Sequence, residues 1–373
     1  MKIAMIGIRG VPANYSGLET CGEEVGVRLV ERGHEVTVYC RNESYEDREP
    51  EYKGIKRVFL PGMKNKYLDT LVHSARSMMH ARENKPDVIL AFNPGISSIC
   101  LIARFSGIPL CLNPDGFDWR RPKWPMVGRW FIYLSAWFSG KVIDQLTVDA
   151  VSVRDYYAEH FNCRQDPMYI PNGANIELRE DQDEEKARRI LAEYGLEKDK
   201  YLFFLSRHVA DNACLELIEA YEGLDTDMPF FFAGGGHYGD AYAESVKKCT
   251  DDKRVILPGA IYDPEHVKVL HHNCYFITHG NKPGGTSLGL LKALGYGTCV
   301  MTFNTPDNAY AVKEAAVKYD LDSEDIRKKM RHLLDHPEEV KEYRKKAVER
   351  VKEEYLWDVV TDKYEAAFRS AIG

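Results

Sequence analysis

Arg207 and the glycine-rich stretch from His279 to Gly295 are the residues of this sequence best suited to hold an anion. A guanidinium stays charged and offers a planar fork of donors to phosphate. Arg207 follows the apolar run Tyr201–Leu205 and precedes Asp211-Asn212, although a single arginine here also fits an ordinary surface charge. In the second stretch, Gly284-Gly285-Thr286-Ser287 separates an apolar run from a helical pattern, so backbone N–H groups backed by the positive end of a helix are expected to face outward. Plain helix capping by Thr286 or Ser287 is the competing reading. Two further clusters lie earlier. Gly7-Ile-Arg-Gly10 opens a loop that runs through Tyr15 and Glu19 into a helix, and its spacing is not that of a dinucleotide-binding loop. Asn113-Pro-Asp115-Gly-Phe-Asp118-Trp119-Arg120-Arg121 packs carboxylates, arginines and an aromatic ring behind the apolar run Ile108–Leu112, where a parallel sheet carries ligand contacts. A tight βα turn and a solvated, ion-paired turn are the respective alternatives.

Elements that position such residues can be read from periodicity. Short apolar runs at Ile3–Ile6, Val36–Cys40 and Val88–Phe92 alternate with helical patterns, the first of which places Leu18, Cys21, Val25 and Leu29 on one face. That order predicts an α/β fold with a doubly wound parallel sheet. After Ile170-Pro-Asn-Gly173 and a polar helix near Asp181–Tyr194 the alternation restarts, with strands expected at Tyr201–Leu205, Phe230–Ala233, Val255–Leu257 and Tyr275–Thr278. Residues 1–176 and 177–355 are therefore expected to form two Rossmann-like domains. The last stretch, 356–373, is expected to be a helix that packs back on the first domain.

At 373 residues the chain exceeds what one core normally supports, which agrees with two domains. A net charge of -7 and no basic tail argue against a nucleic-acid partner. Nine scattered cysteines without close C-x-x-C pairs suggest neither disulfides nor zinc, and a cytoplasmic protein is expected. Asp225-Thr-Asp227 reads as a turn, and no metal or cofactor is expected. With no signal-peptide layout and no long uninterrupted apolar stretch, a membrane span is not expected. Basic and aromatic residues alternate from Arg120 to Phe138, which predicts either peripheral contact with the inner face of the cell membrane or a core helix with a basic edge.

Taken in order, Gly7-x-Arg-Gly-x-Pro12, Tyr15-x-Gly-x-Glu-Thr20, Asp115-Gly-x-Asp-Trp-Arg-Arg-x-Lys-Trp124, Ile170-Pro-Asn-Gly173, Arg207 with Asp211-Asn212, and Gly284-Gly-Thr-Ser resemble the rhamnosyltransferase-like subgroup of the retaining GT-B glycosyltransferases, over essentially the whole chain. The resemblance implies a GT-B fold, with an acceptor-binding first domain, a nucleotide-sugar-binding second domain and a central cleft. It implies that Arg207, Asn212, Gly284, Gly285, Thr286, Ser287 and Lys292 hold the donor. Gly235 and Tyr262 would lie near the base, and Gly10 would close on the donor. Asp115 would stand beside the sugar as a catalytic residue with Arg207, and Tyr15, Glu19, Asp118, Trp119, Arg120 and Arg121 would meet a saccharide or lipid-linked acceptor. Retention is implied to proceed by front-side attack, without metal.

Lys292 and Tyr310 depart from the resembling subgroup. Many relatives carry glutamates where this sequence has Gly284 and Lys292, though glycine is common at the first in the resembling subgroup, and an acidic residue where it has Tyr310. Lys292 is expected roughly two turns into its helix. A lysine cannot accept hydrogen bonds from ribose hydroxyls, which favours a deoxyribose donor such as deoxythymidine diphosphate rhamnose. A catalytically silent GT-B-like binding protein and a nucleotide-sugar epimerase are the other readings.

Overall fold

Two parallel sheets organise the chain. The computed structural model describes residues 1–14, 16–65, 68–121, 124–236, 240–282 and 285–373. One unit comprises Met1–Gly173 with Trp357–Gly373, and the other Ala174–Leu356.

The first unit runs β1 (Lys2–Ile6), α1 (Gly17–Glu31), β2 (Glu35–Arg41), β3 (Glu51–Tyr52), β4 (Ile55–Leu60), α2 (Asp69–Asn84), β5 (Val88–Phe92), α3 (Leu101–Arg104), β6 (Leu110–Asn113), α4 (Met126–Val142), β7 (Gln145–Val148), α5 (Val151–His160) and β8 (Met168–Tyr169). Its sheet order is β3-β4-β2-β1-β5-β6-β7-β8, parallel except for the β3–β4 pair. Connections run one way from β1 and the other way from β5, so the order reverses between these two strands. Ligands of open α/β sheets bind at such a reversal, beyond the carboxyl ends of the strands. β5 is buried along its whole length, as expected for a strand covered by helices on both faces.

The second unit runs α6 (Glu184–Glu193), β9 (Leu202–Leu205), α7 (Cys214–Glu222), β10 (Phe230–Ala233), α8 (Ala241–Lys248), β11 (Val255–Ile256), α9 (Pro264–Asn273), β12 (Phe276–His279), α10 (Leu288–Gly295), β13 (Val300–Phe303), α11 (Pro306–Val312), β14 (Val317–Tyr319), α12 (Ser323–Asp335) and α13 (Pro337–Glu354). All six strands are parallel, in the order β11-β10-β9-β12-β13-β14, and the reversal lies between β9 and β12. Phenylalanines fill both faces. Phe204 stacks on Phe232 of β10 with ring centroids 3.9 Å apart, while Phe203 joins Phe231 and Leu290 in the opposite layer.

After α13 the chain returns to the first unit as α14 (Trp357–Ile372), which packs on α1. Gly173 explains the Ile-Pro-Asn-Gly motif at this junction: a Cβ there would lie 2.4 Å from the Trp357 ring. The expected strands are present with ends displaced by a residue or two. Lys292 is displaced more. Because α10 starts at Leu288, Lys292 sits little more than one turn into it rather than two.

Candidate functional site

At the reversal of the second sheet, β9 is followed by Ser206-Arg207, and β12 ends at His279 and is followed by Gly280. Their junction is built by close backbone approaches. A Cβ on Gly234 would lie 1.9 Å from the Ser206 carbonyl oxygen, and one on Gly280 would lie 2.1 Å from that of Asn212, so both positions require glycine. Asn212 is buried and donates through Nδ2 to Ser206 Oγ and to the Arg207 carbonyl, both at 2.7 Å. It braces the turn from within. Loop 280–282 is tied from three sides: Asn308 Nδ2 donates to the Asn281 carbonyl at 2.9 Å, Tyr319 OH to the His279 carbonyl at 3.0 Å, and the Lys282 N–H to the Asp211 carbonyl at 2.7 Å.

His279 was no more than the first letter of a motif in the sequence, but it organises the start of α10. One ring nitrogen meets Ser287 Oγ at 2.9 Å and the other meets Thr302 Oγ1 at 3.3 Å. Burial lowers its pKa to about 4, so the ring is neutral and bridges two hydroxyls. Ser287 occupies the N-cap of α10, yet its side chain makes no capping hydrogen bond. Simple capping by Ser287 is thus not what the sequence encodes, and the hydroxyl is directed to the imidazole. Gly285 has φ +126°, a conformation that favours glycine. Thr286 is buried beside it.

Ser206, Thr278, His279 and Lys292 line one cavity of about 160 Å³ with apolar walls. Lys292 is exposed, its Nζ 5.8 Å from the Tyr296 ring centroid. Below it, burial first and the Lys292 charge second lower the His271 pKa to about 3. Arg207 is also exposed. The cavity thus brings the end of β9, Gly289 in the first turn of α10 and Lys292 together, with Arg207 next to Ser206 in the chain, an arrangement suited to a diphosphate. Gly235 accepts from the His208 N–H at 3.0 Å on the neighbouring loop, and Tyr262 is 88% exposed. Gly284 lies outside the described residues.

The first unit treats its strand-end loops differently. Gly10, at φ +137°, packs against β2, where a Cβ would lie 2.6 Å from Cys40 Sγ. Glu19 was expected to meet the acceptor. It is instead buried and accepts from the Arg9 N–H at 3.0 Å and from the Ser16 hydroxyl. One turn later Glu23 accepts from the Ala13 N–H at 2.7 Å and from Tyr52 OH at 2.8 Å. Partial burial raises the Glu23 pKa, but the Ala13, Tyr52 and Lys53 donors outweigh it and hold the carboxyl below its usual range. Two carboxylates of α1 thus staple the glycine loop, and an i, i+4 pair of glutamates at a helix start was the signal available for this. Tyr15 lies outside the described residues.

Beyond β6, Asp115 adopts a left-handed φ of 62°, with its N–H bonded to Asn113 Oδ1 at 2.9 Å. Asp118 pairs with Arg121 Nε at 3.1 Å. Arg120 is exposed and lies over the Phe117 ring at 4.3 Å and the Tyr156 ring at 5.1 Å. Trp119, expected among the acceptor contacts, belongs to the core. It is only 7% exposed among Phe117, Tyr133, Tyr156, Tyr157 and Phe161, because the 3-10 turn Asp118–Arg120 rotates it inward. Among the described residues no cluster of three or more histidine, cysteine or acidic groups could hold a metal.

Sheet order, helix placement and the return of α14 define a GT-B fold. The sequence matches the Glycosyltransferase Family 4 model over residues 15–178 and the Glycosyl transferases group 1 model over residues 185–352, so the chain carries the two domains of a GT-B glycosyltransferase of the family 4/group 1 type. Solved structures of similar fold include a glycosyltransferase from Rickettsia africae (TM-score 0.79, 14% identity, covering 100% of this chain and 98% of that one). Sucrose-phosphate synthase from Thermosynechococcus elongatus is also similar (TM-score 0.81, 14% identity, 99% and 98% covered). A third is Anabaena Alr3699/HepE in complex with UDP and glucose (TM-score 0.77, 12% identity, 98% of each chain covered). A comparison with curated protein sequences returned no match.

Proposed function

We propose that the protein transfers a hexose from a nucleoside diphosphate sugar to a saccharide or lipid-linked saccharide, with retention of configuration, in the assembly of a cell-surface polysaccharide or glycolipid. The second unit takes the donor and the first the acceptor. The observation that carries this reading is one cavity at the β9–β12 reversal lined by Ser206, Gly289 of α10 and Lys292, with the exposed Arg207 next to Ser206 in the chain. A GT-B relative seen with UDP and glucose supports a nucleotide sugar as donor.

In this reading Arg207 and the α10 N–H groups bind the diphosphate and stabilise the charge that builds on it as the C1–O bond breaks. The acceptor oxygen bonds to C1 from the same face, and its proton passes to the departing phosphate oxygen. Asp115, held by the Asn113 side chain, orients the sugar. Lys292 stands where a hydrogen-bond acceptor would meet ribose, which makes deoxythymidine diphosphate rhamnose the first donor to test.

Incubation with a panel of nucleotide sugars and saccharide acceptors tests the proposal. Diphosphate release together with a product whose anomeric proton coupling matches the donor is the expected result. A folded protein that binds nucleotide but releases no diphosphate would instead be a silent binding protein.

A further inference from the structure

The outer face of α4 is apolar and uncovered. Met126, Val127, Trp130, Phe131, Leu134 and Trp137 are all exposed, from 44% at Trp137 to 81% at Val127. They recur at i, i+3, i+4 and i+7 spacing and form one stripe. The opposite face already meets its own unit through Ile132, Ala136, Ser139 and Gly140. The stripe is therefore not the core face of the helix, which removes the core-helix alternative for these side chains. Most exposed large apolar residues are single and need no explanation; six on one helix do.

Charge selects the occupant. Between Asp118 and Asp144 the sequence holds five basic residues, Arg120, Arg121, Lys123, Arg129 and Lys141, and no acidic one, in a chain of net charge -7. A second copy of the same face would bring like charge against like. An anionic surface would be attracted, and tryptophans suit the boundary between headgroups and acyl chains. Lys141 lies with its Nζ 5.8 Å from the Trp137 ring centroid and donates to the Asn162 carbonyl at 2.8 Å, which fixes a positive charge beside the end of the stripe.

We infer that α4 seats the protein on the anionic face of a lipid bilayer, with its Met126–Trp137 stripe in the interface and its basic residues against headgroup phosphates. The helix also supports the acceptor-side turn. Arg129 Nε donates to the Trp119 carbonyl at 2.7 Å, and the Tyr133 ring packs on Trp119 at 5.8 Å between centroids. Seating α4 thus brings Asp115, Asp118 and Arg120 to the bilayer surface, and the acceptor class this favours is a lipid-linked saccharide. That assignment of the acceptor rests on the transferase reading; the seating of the helix does not.

Flotation of the full chain with vesicles of phosphatidylcholine alone, or mixed with phosphatidylglycerol, tests the seating. Partition to the anionic vesicles should exceed that to neutral ones by about ten-fold or more and fall as salt rises. Arg129→Gln should lower it about five-fold. Trp130→Glu with Leu134→Glu should lower it at least about ten-fold, with nucleotide binding by calorimetry unchanged. Equal partition to both vesicles, or a glutamate variant that binds like wild type, would overturn the inference. So would light scattering that shows a wild-type dimer made monomeric by the glutamates, since the stripe would then face a second copy. Anionic-vesicle binding without diphosphate release from any nucleotide sugar would uphold the docking while removing the transferase reading.

Discussion

Each unit carries a glycine-containing loop at its strand-order reversal, after β1 in the first and after β12 in the second, but the two loops are held by different groups. At β1–β5 the loop is held by carboxylates: Glu19 and Glu23 accept its N–H groups, and Asp115 and Asp118 stand two strands away beyond β6. At β9–β12 neutral groups do the holding, through Asn212, Asn308 and the His279 bridge, and the cations Arg207 and Lys292 are left exposed. A loop held by neutral groups leaves its charges available to a ligand, whereas a loop stapled by carboxylates has used them. One scaffold can therefore provide a phosphate site in one unit and a polar, hydroxyl-binding surface in the other. Outer surfaces differ as well. The first unit carries the apolar stripe of α4, whereas α12 of the second turns only Ile326, Met330 and Leu333 inward and gives the rest of its length to mainly charged residues.

This contrast can be broken by mutation. Arg207→Ala should remove about 2–4 kcal/mol of donor interaction, read as a loss in both affinity and turnover. Unchanged kinetics in a folded variant would end the phosphate role. The matching change in the first unit, Glu19→Ala, leaves the Arg9 N–H without its acceptor and should cost about 1–3 kcal/mol of stability, with nucleotide affinity intact. A loss of nucleotide binding there would show that the two loops are not specialised as described.

Acid should separate the units. His271 and His279 of the second unit have pKa values lowered to about 3 and about 4, and those of His208 and His272 are also lowered, burial being the first cause in each. In the first unit His73, at about 4, is the counterpart. A folded-state pKa below the ordinary 6.5 means that the unfolded chain binds the extra protons, so stability is full above 6.5 and falls as pH drops toward 4. Between pH 7 and 5.5, His271 and His279 should each cost about 1 kcal/mol. Hydrogen exchange over this range should open β9 and β12 before β1 and β5, and the reverse order would contradict the burial argument. The smallest effect is expected at α4, where Trp130→Glu should change the unfolding free energy, read from denaturant titration, by less than about 0.5 kcal/mol because the side chain already faces solvent.

Strand and helix positions were legible because apolar runs of a buried parallel sheet and helical periodicity are local signals; β5 and β10 fall on the expected residues. The return of α14 was legible too, since no strand remained for it to join. Side-chain partners were not. Trp119 looks like a ligand contact until the 3-10 turn folds it into the core, and the staple formed by Glu19 and Glu23 needs the loop to double back onto α1. His279 shows the same limit from the other side. Nothing local says that its ring will reach Ser287 eight residues on and Thr302 on the next strand. The basic and aromatic alternation from Arg120 to Phe138 was visible in sequence, but only the burial of Ile132 and Ala136 shows which face is left outside.

Lys292 offers the most direct test of the claim that the β9–β12 crevice holds a nucleoside diphosphate. Wild type and Lys292→Glu would be titrated calorimetrically with thymidine, uridine and guanosine diphosphates. Wild type should bind thymidine diphosphate, and Lys292→Glu should shift preference toward the two ribonucleotides by about ten-fold, since a carboxylate accepts from ribose hydroxyls where an ammonium cannot. Binding by Lys292→Glu alone, with no diphosphate bound by wild type, would mean that the natural protein has lost donor recognition, and its assignment as a working transferase would be contradicted.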